Sequence, residues 1–196
     1  AVIVSDEVAL DADGISVATS VGNNAALVIG GALADGGSVT NASGRQVTIL
    51  SAGNDSSKSF NVVGTDVNGD SLTENVTGAN AGTATSSGYF KTIASITAVG
   101  NPAGNVSAGI NANAADVIFA GRTRLKGFSF VSGGTAGKAN IRNGSVTGTE
   151  VVQFRSIGTD DSSEDPFIPD EGILFKDGCF VTFVVPQFDL MMFYHA

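Results

Sequence analysis

The sequence predicts an all-β protein made of two small antiparallel β-sandwich domains of an immunoglobulin-like or jelly-roll-like kind. Three observations predict this class. The 196-residue chain holds 26 Gly and only 4 Pro, and its polar residues are mainly Ser, Thr and Asn, a mixture that favours short strands and tight turns. Short apolar runs recur between turn signals. No window shows a convincing helical period, and the best helical candidate, residues 111–116, predicts one turn at most.

The clearest strand signal lies in residues 58–99. Apolar residues alternate with polar ones on both sides of Asn68-Gly69: Phe60, Val62, Leu72 and Val76. Asn-Gly between two alternating runs predicts a β-hairpin in which both central turn residues adopt positive φ. A third run is expected to return its apolar residues to the same core: Phe90, Ile93 and Ile96.

Further strands are predicted along the whole chain. Before the domain boundary that is predicted below, they are residues 1–4, 15–21, 25–29, 46–50 and 104–110. After it they are residues 125–131, 138–142, 150–157, 172–175, 180–185 and 190–194. Short strands at this spacing are typical of antiparallel sandwiches.

The composition of the chain changes near residue 111. Only Phe60 and Phe90, of twelve Phe, precede that point, whereas seven of the ten basic residues follow it. Such a shift predicts a domain boundary at residues 111–115, and hence a domain of residues 1–114 with an N-terminal arm and a smaller one of residues 115–196. Because a small domain buries a limited fraction of its surface, aromatic side chains are the expected core filler.

Charge and targeting signals restrict the possible partners. The net charge is −9 and the isoelectric point about 4.3, so direct nucleic-acid binding and attachment to an anionic membrane are not expected. No apolar run is long enough to span a membrane. A single Cys excludes an internal disulfide. The chain begins at Ala without a signal-peptide pattern, which fits cytosolic synthesis after removal of an initiator Met.

Catalytic and metal-binding patterns are weak. His195 is penultimate, where an imidazole is expected to be poorly held, and is interpreted as a terminal polar residue. Cys179 has no adjacent basic residue and is interpreted as a small packing residue. One Cys and one His exclude a zinc site of the usual kind. We therefore expect no catalytic residue, no cofactor, and no enzymatic activity.

Residues 66–70 resemble the opening of a calcium-binding loop. The match fails because Ser71 stands where that loop needs Gly, and Thr77 where it needs a bidentate Glu. A hairpin turn explains the same residues without a metal.

Three stretches are candidate interfaces. The first is the apolar arm of Ala1, Val2, Ile3 and Val4, which either pairs with its own sheet or adds a strand to a neighbour's. The second is residues 160–171, with six acids and no base, interpreted as a solvated loop or else as a surface for a basic patch or a weak Ca²⁺ site. Its candidate contacts are Asp160, Asp161, Glu164 and Asp165.

The third stretch is basic. Arg122, Arg124 and Lys126 alternate, and Phe128 and Phe130 continue the same parity. A single strand face cannot be basic and solvated at one end and core at the other without a bend, a later strand start or a second surface. We expect the basic residues to pair with the acidic loop of another chain in a homo-oligomer, with a trimer as the favoured state; pairing within one chain is the alternative.

Two segments carry a family resemblance. Residues 46–106 include VTILSAGN, FNVVGTDVNGDSLTENVTG, YFKTIASIT and GNVS, and the later part includes KGFSF, RNGSVTGT and IPDEGILFKDGCFVT. These resemble β-rich domains of tailed-bacteriophage virion proteins. The resemblance implies a structural virion protein assembled in the host bacterial cytoplasm, in contact with the major capsid protein or tail proteins. Capsid decoration, or cementing, is the favoured role; a tail-tip or fibre-adaptor protein and a carbohydrate-binding module are the alternatives.

Overall fold

The structure is a computed structural model and describes residues 2–6, 10–132, 136–156, 163–164, 168–169, 171–184 and 188–195. In these ranges every regular element is a β-strand, and the strand pairs given below are antiparallel. The predicted all-β, sandwich-like class is therefore confirmed. The strands are β1 (Val2–Asp6), β2 (Asp11–Thr19), β3 (Ala34–Asp35), β4 (Ser38–Ser51), β5 (Ser59–Thr65), β6 (Ser71–Thr77), β7 (Thr83–Thr85), β8 (Phe90–Val99), β9 (Val106–Phe119), β10 (Thr123–Ser132), β11 (Gly137–Asn143), β12 (Thr149–Ser156), β13 (Ser163–Glu164), β14 (Ile173–Phe175), β15 (Cys179–Val184) and β16 (Phe188–His195).

The chain forms two compact units. The first unit is Leu10–Asn111, and the second unit is Ala1–Ala9 together with Ala112–Ala196. The strand β9 crosses the division, so the one-turn helix considered for residues 111–116 is wrong and those residues are extended. Whether the predicted domains, residues 1–114 and 115–196, fold independently stays a prediction.

The first unit is built on a four-strand antiparallel arrangement in the order β4-β8-β5-β6. Alternation along β5 buries Phe60, Val62 and Gly64 and leaves the residues between them half-buried. The predicted contribution of the third run is confirmed, because its three apolar residues are fully buried in the same aliphatic core: Phe90, Ile93 and Ile96. Residues 25–29 do not form the predicted strand; they make only an isolated bridge and a few backbone bonds to β8.

A β-bulge explains why Ile93 and Ile96, three residues apart, face one core. The pairing of β5 with β8 passes from Val63↔Ser95 to Gly64↔Ile93, which leaves Ala94 as the extra residue. At this point the two backbones approach so closely that a Cβ on Gly64 would lie 1.9 Å from the carbonyl oxygen of Thr92. The bulge therefore requires glycine at residue 64.

The predicted hairpin is confirmed, with a different turn from the one expected. Strands β5 and β6 pair from Ser59↔Thr77 to Thr65↔Ser71. Of the two central residues, only Gly69 has positive φ, at 87°. The Gly69 N–H donates to the Asp66 carbonyl, and the Asp66 N–H donates to the Asp70 carbonyl. This pattern fits a type I turn followed by a left-handed glycine, which is a common three-residue hairpin loop.

The second unit is a sandwich of two sheets. One sheet contains the order β12-β11-β15-β9, and the small sheet has the order β1-β16-β10-β13, with β14 also paired to β10. Both contribute to one core that includes Ile141, Val181 and Phe183 from the first and Phe130 and Met192 from the second. The predicted Phe-rich core is confirmed by five buried Phe: Phe128, Phe130, Phe175, Phe180 and Phe183.

Candidate interaction face

The small sheet gathers the predicted interface residues that the structure describes. They are Val2, Ile3 and Val4 in β1, Arg124 and Lys126 in β10, Arg122 directly before β10, and Glu164 in β13. The other candidates lie outside the described residues: Ala1, Asp160, Asp161 and Asp165.

The N-terminal arm belongs to the sheet of its own chain. Strand β1 pairs with β16 in a regular antiparallel register from Val2↔Met192 to Asp6↔Phe188. Of the two possibilities that the sequence leaves open for the arm, the structure shows pairing with the sheet of its own chain. Strand β1 is the terminal strand of the small sheet.

A β-bulge at Lys126 resolves the parity conflict of the basic stretch. Pairing of β10 with β16 passes from Leu125↔Tyr194 to Gly127↔Phe193, so Lys126 is an extra residue on β10. Because the bulge shifts the alternation by one position, Leu125 and Phe128 both face the core, whereas Lys126 is exposed. The bend was one of the solutions that the sequence left open.

Arg124 pairs with an acidic residue of its own chain. Its Nη1 donates to the Glu171 carbonyl at 3.1 Å and lies 3.7 Å from Glu171 Oε2. Glu171 is part of the acidic stretch of residues 160–171. The structure therefore shows a within-chain contact for Arg124, and pairing between chains stays a prediction. At 3.7 Å, with a largely exposed carboxylate, this ion pair contributes little to stability.

Two arginines and the one histidine line a small cleft on the small sheet. This basic cleft has a volume of about 140 Å³ and is formed by Arg122, Thr123, Arg124, Leu174 and His195. Leu174 lies opposite Arg124 on one side, in β14, and His195 lies opposite it on the other, in β16. The cleft is thus built on three adjacent strands.

His195 is better held than its position near the end of the chain predicts. It forms part of β16, and its carbonyl oxygen accepts a hydrogen bond of 2.9 Å from Thr123 Oγ1. Its place beside Arg124 cannot be predicted from the sequence, since it depends on the β10–β16 register. The only signal available was the apolar run that ends at Tyr194.

The outer face of the small sheet also exposes large apolar side chains. Met191 and Phe193, two residues apart on β16, are 37% and 47% exposed. Phe193 lies opposite Gly127, where a Cβ would be 3.7 Å from the ring, so the ring covers the bare backbone of that glycine. The expectation that the late Phe residues are core is wrong for Phe193. A Met and a Phe presented beside Arg are typical of protein interfaces.

A second basic depression lies in the other sheet of the second unit. It has a volume of about 360 Å³ and is lined by Ala136, Gly137, Lys138, Arg155 and Val184. Lys138 pairs directly with Arg155 in β12 and with Val184 in β15. Two cations directly opposite each other repel, so this pair destabilises the sheet rather than stabilising it.

Cys179 is a packing residue, as predicted. It is buried in the core of the second unit, and burial raises the pKa of its thiol from 9.0 to about 12. A thiol that stays protonated at neutral pH is a poor nucleophile.

The calcium-like stretch is a hairpin loop, also as predicted. Asp66 Oδ1 accepts hydrogen bonds from the backbone N–H groups of Asn68, at 2.8 Å, and Asp70, at 3.0 Å. The carboxylate thus closes the loop. Among the described residues, no three His, Cys, Asp or Glu side chains are grouped as metal ligands.

Comparisons with known proteins identify no relative of this chain. No family model, no curated protein and no solved structure matches the chain. Within the described ranges, no helix has the length and apolar character needed to cross a membrane.

Proposed function

We propose that this protein is a non-enzymatic structural component of a bacteriophage particle, and that it decorates the capsid by binding the major capsid protein. The observation that carries the proposal is the outer face of the small sheet. There Met191 and Phe193 are exposed beside the basic cleft that contains Arg122 and Arg124. Exposed apolar side chains next to arginines favour a role in protein contact.

The chemistry of the two most reactive residue types supports a structural role. The thiol of Cys179 is buried and has a raised pKa, so it serves packing rather than attack on a substrate. The His195 carbonyl joins β16 to β10, and its ring lies at an open cleft beside two cations. A triad base needs an acidic partner that orients its ring, and the described residues lining this cleft include no Asp or Glu.

The direct test is to identify and count the protein in purified particles. Quantitative mass spectrometry of virions is expected to find hundreds of copies per particle if the protein decorates the head. A few copies or a dozen would instead support the tail-tip or fibre-adaptor role. Absence from particles would overturn the proposal.

Surface variants test the face itself. Met191→Ser with Phe193→Ser should abolish binding to particles that lack the protein, because it removes the exposed apolar contact and leaves the core side chains in place. Val28→Ser is the matched control, since Val28 is 74% exposed and lies in the first unit. Equal loss of binding in both variants would show that the outer face is not the contact surface.

Self-association stays a prediction. We expect a homo-oligomer, with a trimer as the favoured state, and static light scattering of the purified chain at high concentration measures its mass. Arg122→Glu with Arg124→Glu should weaken assembly in a salt-sensitive way. Unchanged assembly in that variant would remove the electrostatic part of the proposal.

A further inference from the structure

We propose that the basic cleft is a binding site for a carboxylate group of a protein partner. This inference goes beyond the proposed function and rests on the geometry of the cleft alone. It assigns a ligand chemistry to Arg122, Arg124 and His195.

The strand register fixes the floor of the cleft. Arg124 is the central residue of a row across three strands, with Leu174 on one side and His195 on the other. The hydrogen bond from Thr123 Oγ1 to the His195 carbonyl ties two of these strands together at the same level. Arg122 completes the lining. Cationic groups are thereby held around one small opening.

Most of the hydrogen-bond donors at the cleft are unused. Within the described part of the chain, the side chains of Arg122 and His195 make no hydrogen bond or ion pair, and Arg124 donates only to the Glu171 carbonyl. A guanidinium carries five N–H donors arranged to match the two oxygens of a carboxylate. Two guanidinium groups with unused donors, the exposed one of Arg122 and the partly buried one of Arg124, therefore form a site suited to an oxyanion.

Glu171 shows that a carboxylate can approach this site. Its Oε2 lies 3.7 Å from Arg124 Nη1, and its side chain is 86% exposed. The distance is too long for a hydrogen bond. The chain's own carboxylate therefore lies at the rim without occupying the cleft, and a carboxylate from outside can displace it.

Size and charge favour a protein carboxylate over the phosphates of a nucleic acid. A volume of about 140 Å³ suits a single acidic side chain, with Leu174 available to contact its methylene groups. The net charge of −9 and the six acids of residues 160–171 repel a long polyanion of high charge density such as duplex DNA. A single carboxylate, or a short acidic peptide, meets much less of this repulsion.

The test is a titration of the ¹⁵N-labelled full chain at low salt, in which nuclear magnetic resonance follows the Arg Nε–H signals and the His195 ring. The probe is hexaglutamate, with inorganic phosphate and short duplex DNA titrated in parallel. Saturable shifts are expected at Arg122, Arg124 and His195. Arg122→Gln and Arg124→Gln should each weaken the binding of hexaglutamate by about tenfold or more.

Two further variants distinguish a specific binding site from nonspecific electrostatic attraction. Arg155→Gln removes the same charge at the second basic depression and should change affinity less than about twofold. Glu171→Gln removes the competing carboxylate and should tighten hexaglutamate binding by about two- to fivefold. A role of Glu171 that is only structural would not produce this gain.

Several outcomes would overturn the inference. These are a titration without saturable shifts at the cleft, equal weakening by Arg155→Gln, no gain from Glu171→Gln, or tighter binding of duplex DNA than of hexaglutamate. The particle count tests the proposed function separately. A protein found in virions that does not bind hexaglutamate would contradict only the cleft assignment, and a protein that binds hexaglutamate but is absent from virions would contradict only the proposed function.

Discussion

The two units of the chain solve the same packing problem with different side chains. The first unit buries two Phe among many Val and Ile, whereas the second buries five Phe among its described residues. A buried aromatic ring removes far more surface from water than a Val does. The two units are of similar length, so size alone does not explain the difference. The comparison shows that aliphatic and aromatic side chains can each fill the core of an antiparallel β unit.

The units also differ at their surfaces. In the first unit, acidic side chains are used to hold loops: Asp66 closes its hairpin, and Glu74 accepts hydrogen bonds from the Ser87 and Gly88 N–H groups. In the second unit, cations line open depressions and apolar residues are exposed on β16. Both basic depressions therefore lie in the second unit, whereas exposed apolar side chains occur in both units.

The largest effect on stability is expected from replacing one fully buried Phe in each core in turn. Phe183→Ala and Phe60→Ala each remove a fully buried ring and should cost about 3–5 kcal/mol of unfolding free energy. If the units unfold separately, each variant should lower a different transition in differential scanning calorimetry. A single transition that both variants lower equally would show one cooperative unit and break the comparison.

Cys179 provides a reporter of the second unit alone. Its buried thiol should react with an aromatic disulfide reagent at pH 8 at least about 100-fold more slowly than in the unfolded chain, equivalent to about 2.7 kcal/mol of opening free energy. Phe183→Ala should accelerate labelling, and Phe60→Ala should not. Fast labelling of the unmodified protein would contradict the buried position.

The same thiol predicts a pH dependence. Its pKa is about 12 in the folded chain against 9.0 for an ordinary thiol, so the folded state holds a proton that the unfolded state loses. The stabilisation is complete below pH 9 and declines as the pH rises from about 9 to 12. Chemical denaturation of Cys179→Ala should show a weaker loss across this window than the unmodified chain.

A smaller effect is expected from the backbone contact in the first unit. Gly64→Ala places a methyl group against the Thr92 carbonyl and should cost about 1–3 kcal/mol, because backbone must move. Gly22→Ala is the control, since nothing lies within 4 Å of its Cβ position. Equal denaturation midpoints for the two variants would show that the bulge at Ala94 relaxes freely.

The smallest effect concerns the hairpin loop. Asp66→Ala removes the acceptor of two backbone N–H groups and should cost about 1 kcal/mol. Asp66→Asn keeps an acceptor oxygen and should cost less. A larger loss for Asn than for Ala in urea denaturation would show that the side chain acts by another route.

The local sequence pattern predicted much of the fold. The alternation around Asn68-Gly69 predicted β5 and β6, because a strand with one buried face must repeat every two residues. The Phe asymmetry predicted a second core, since composition reflects what fills each interior. These signals are contained within a few neighbouring residues and need no knowledge of pairing.

The other features of the fold and of the cleft depend on strand register, which could not be predicted from the sequence. The bulge at Lys126 exists only relative to β16, and it determines that Leu125 and Phe128 share a face. The placement of His195 beside Arg124 likewise depends on a partner strand far away in the chain. The candidate site was therefore predicted only in part: its arginines were identified, but its histidine and its leucine were not.

The pairing of β1 with β16 has a consequence for synthesis. Residues 2–6 are synthesised long before their partner strand, Phe188–His195. The first unit, Leu10–Asn111, lies between them and can fold in the meantime. Throughout that interval β1 has an unpaired backbone edge, so the nascent chain depends on rapid synthesis of β16 to avoid pairing with other nascent chains.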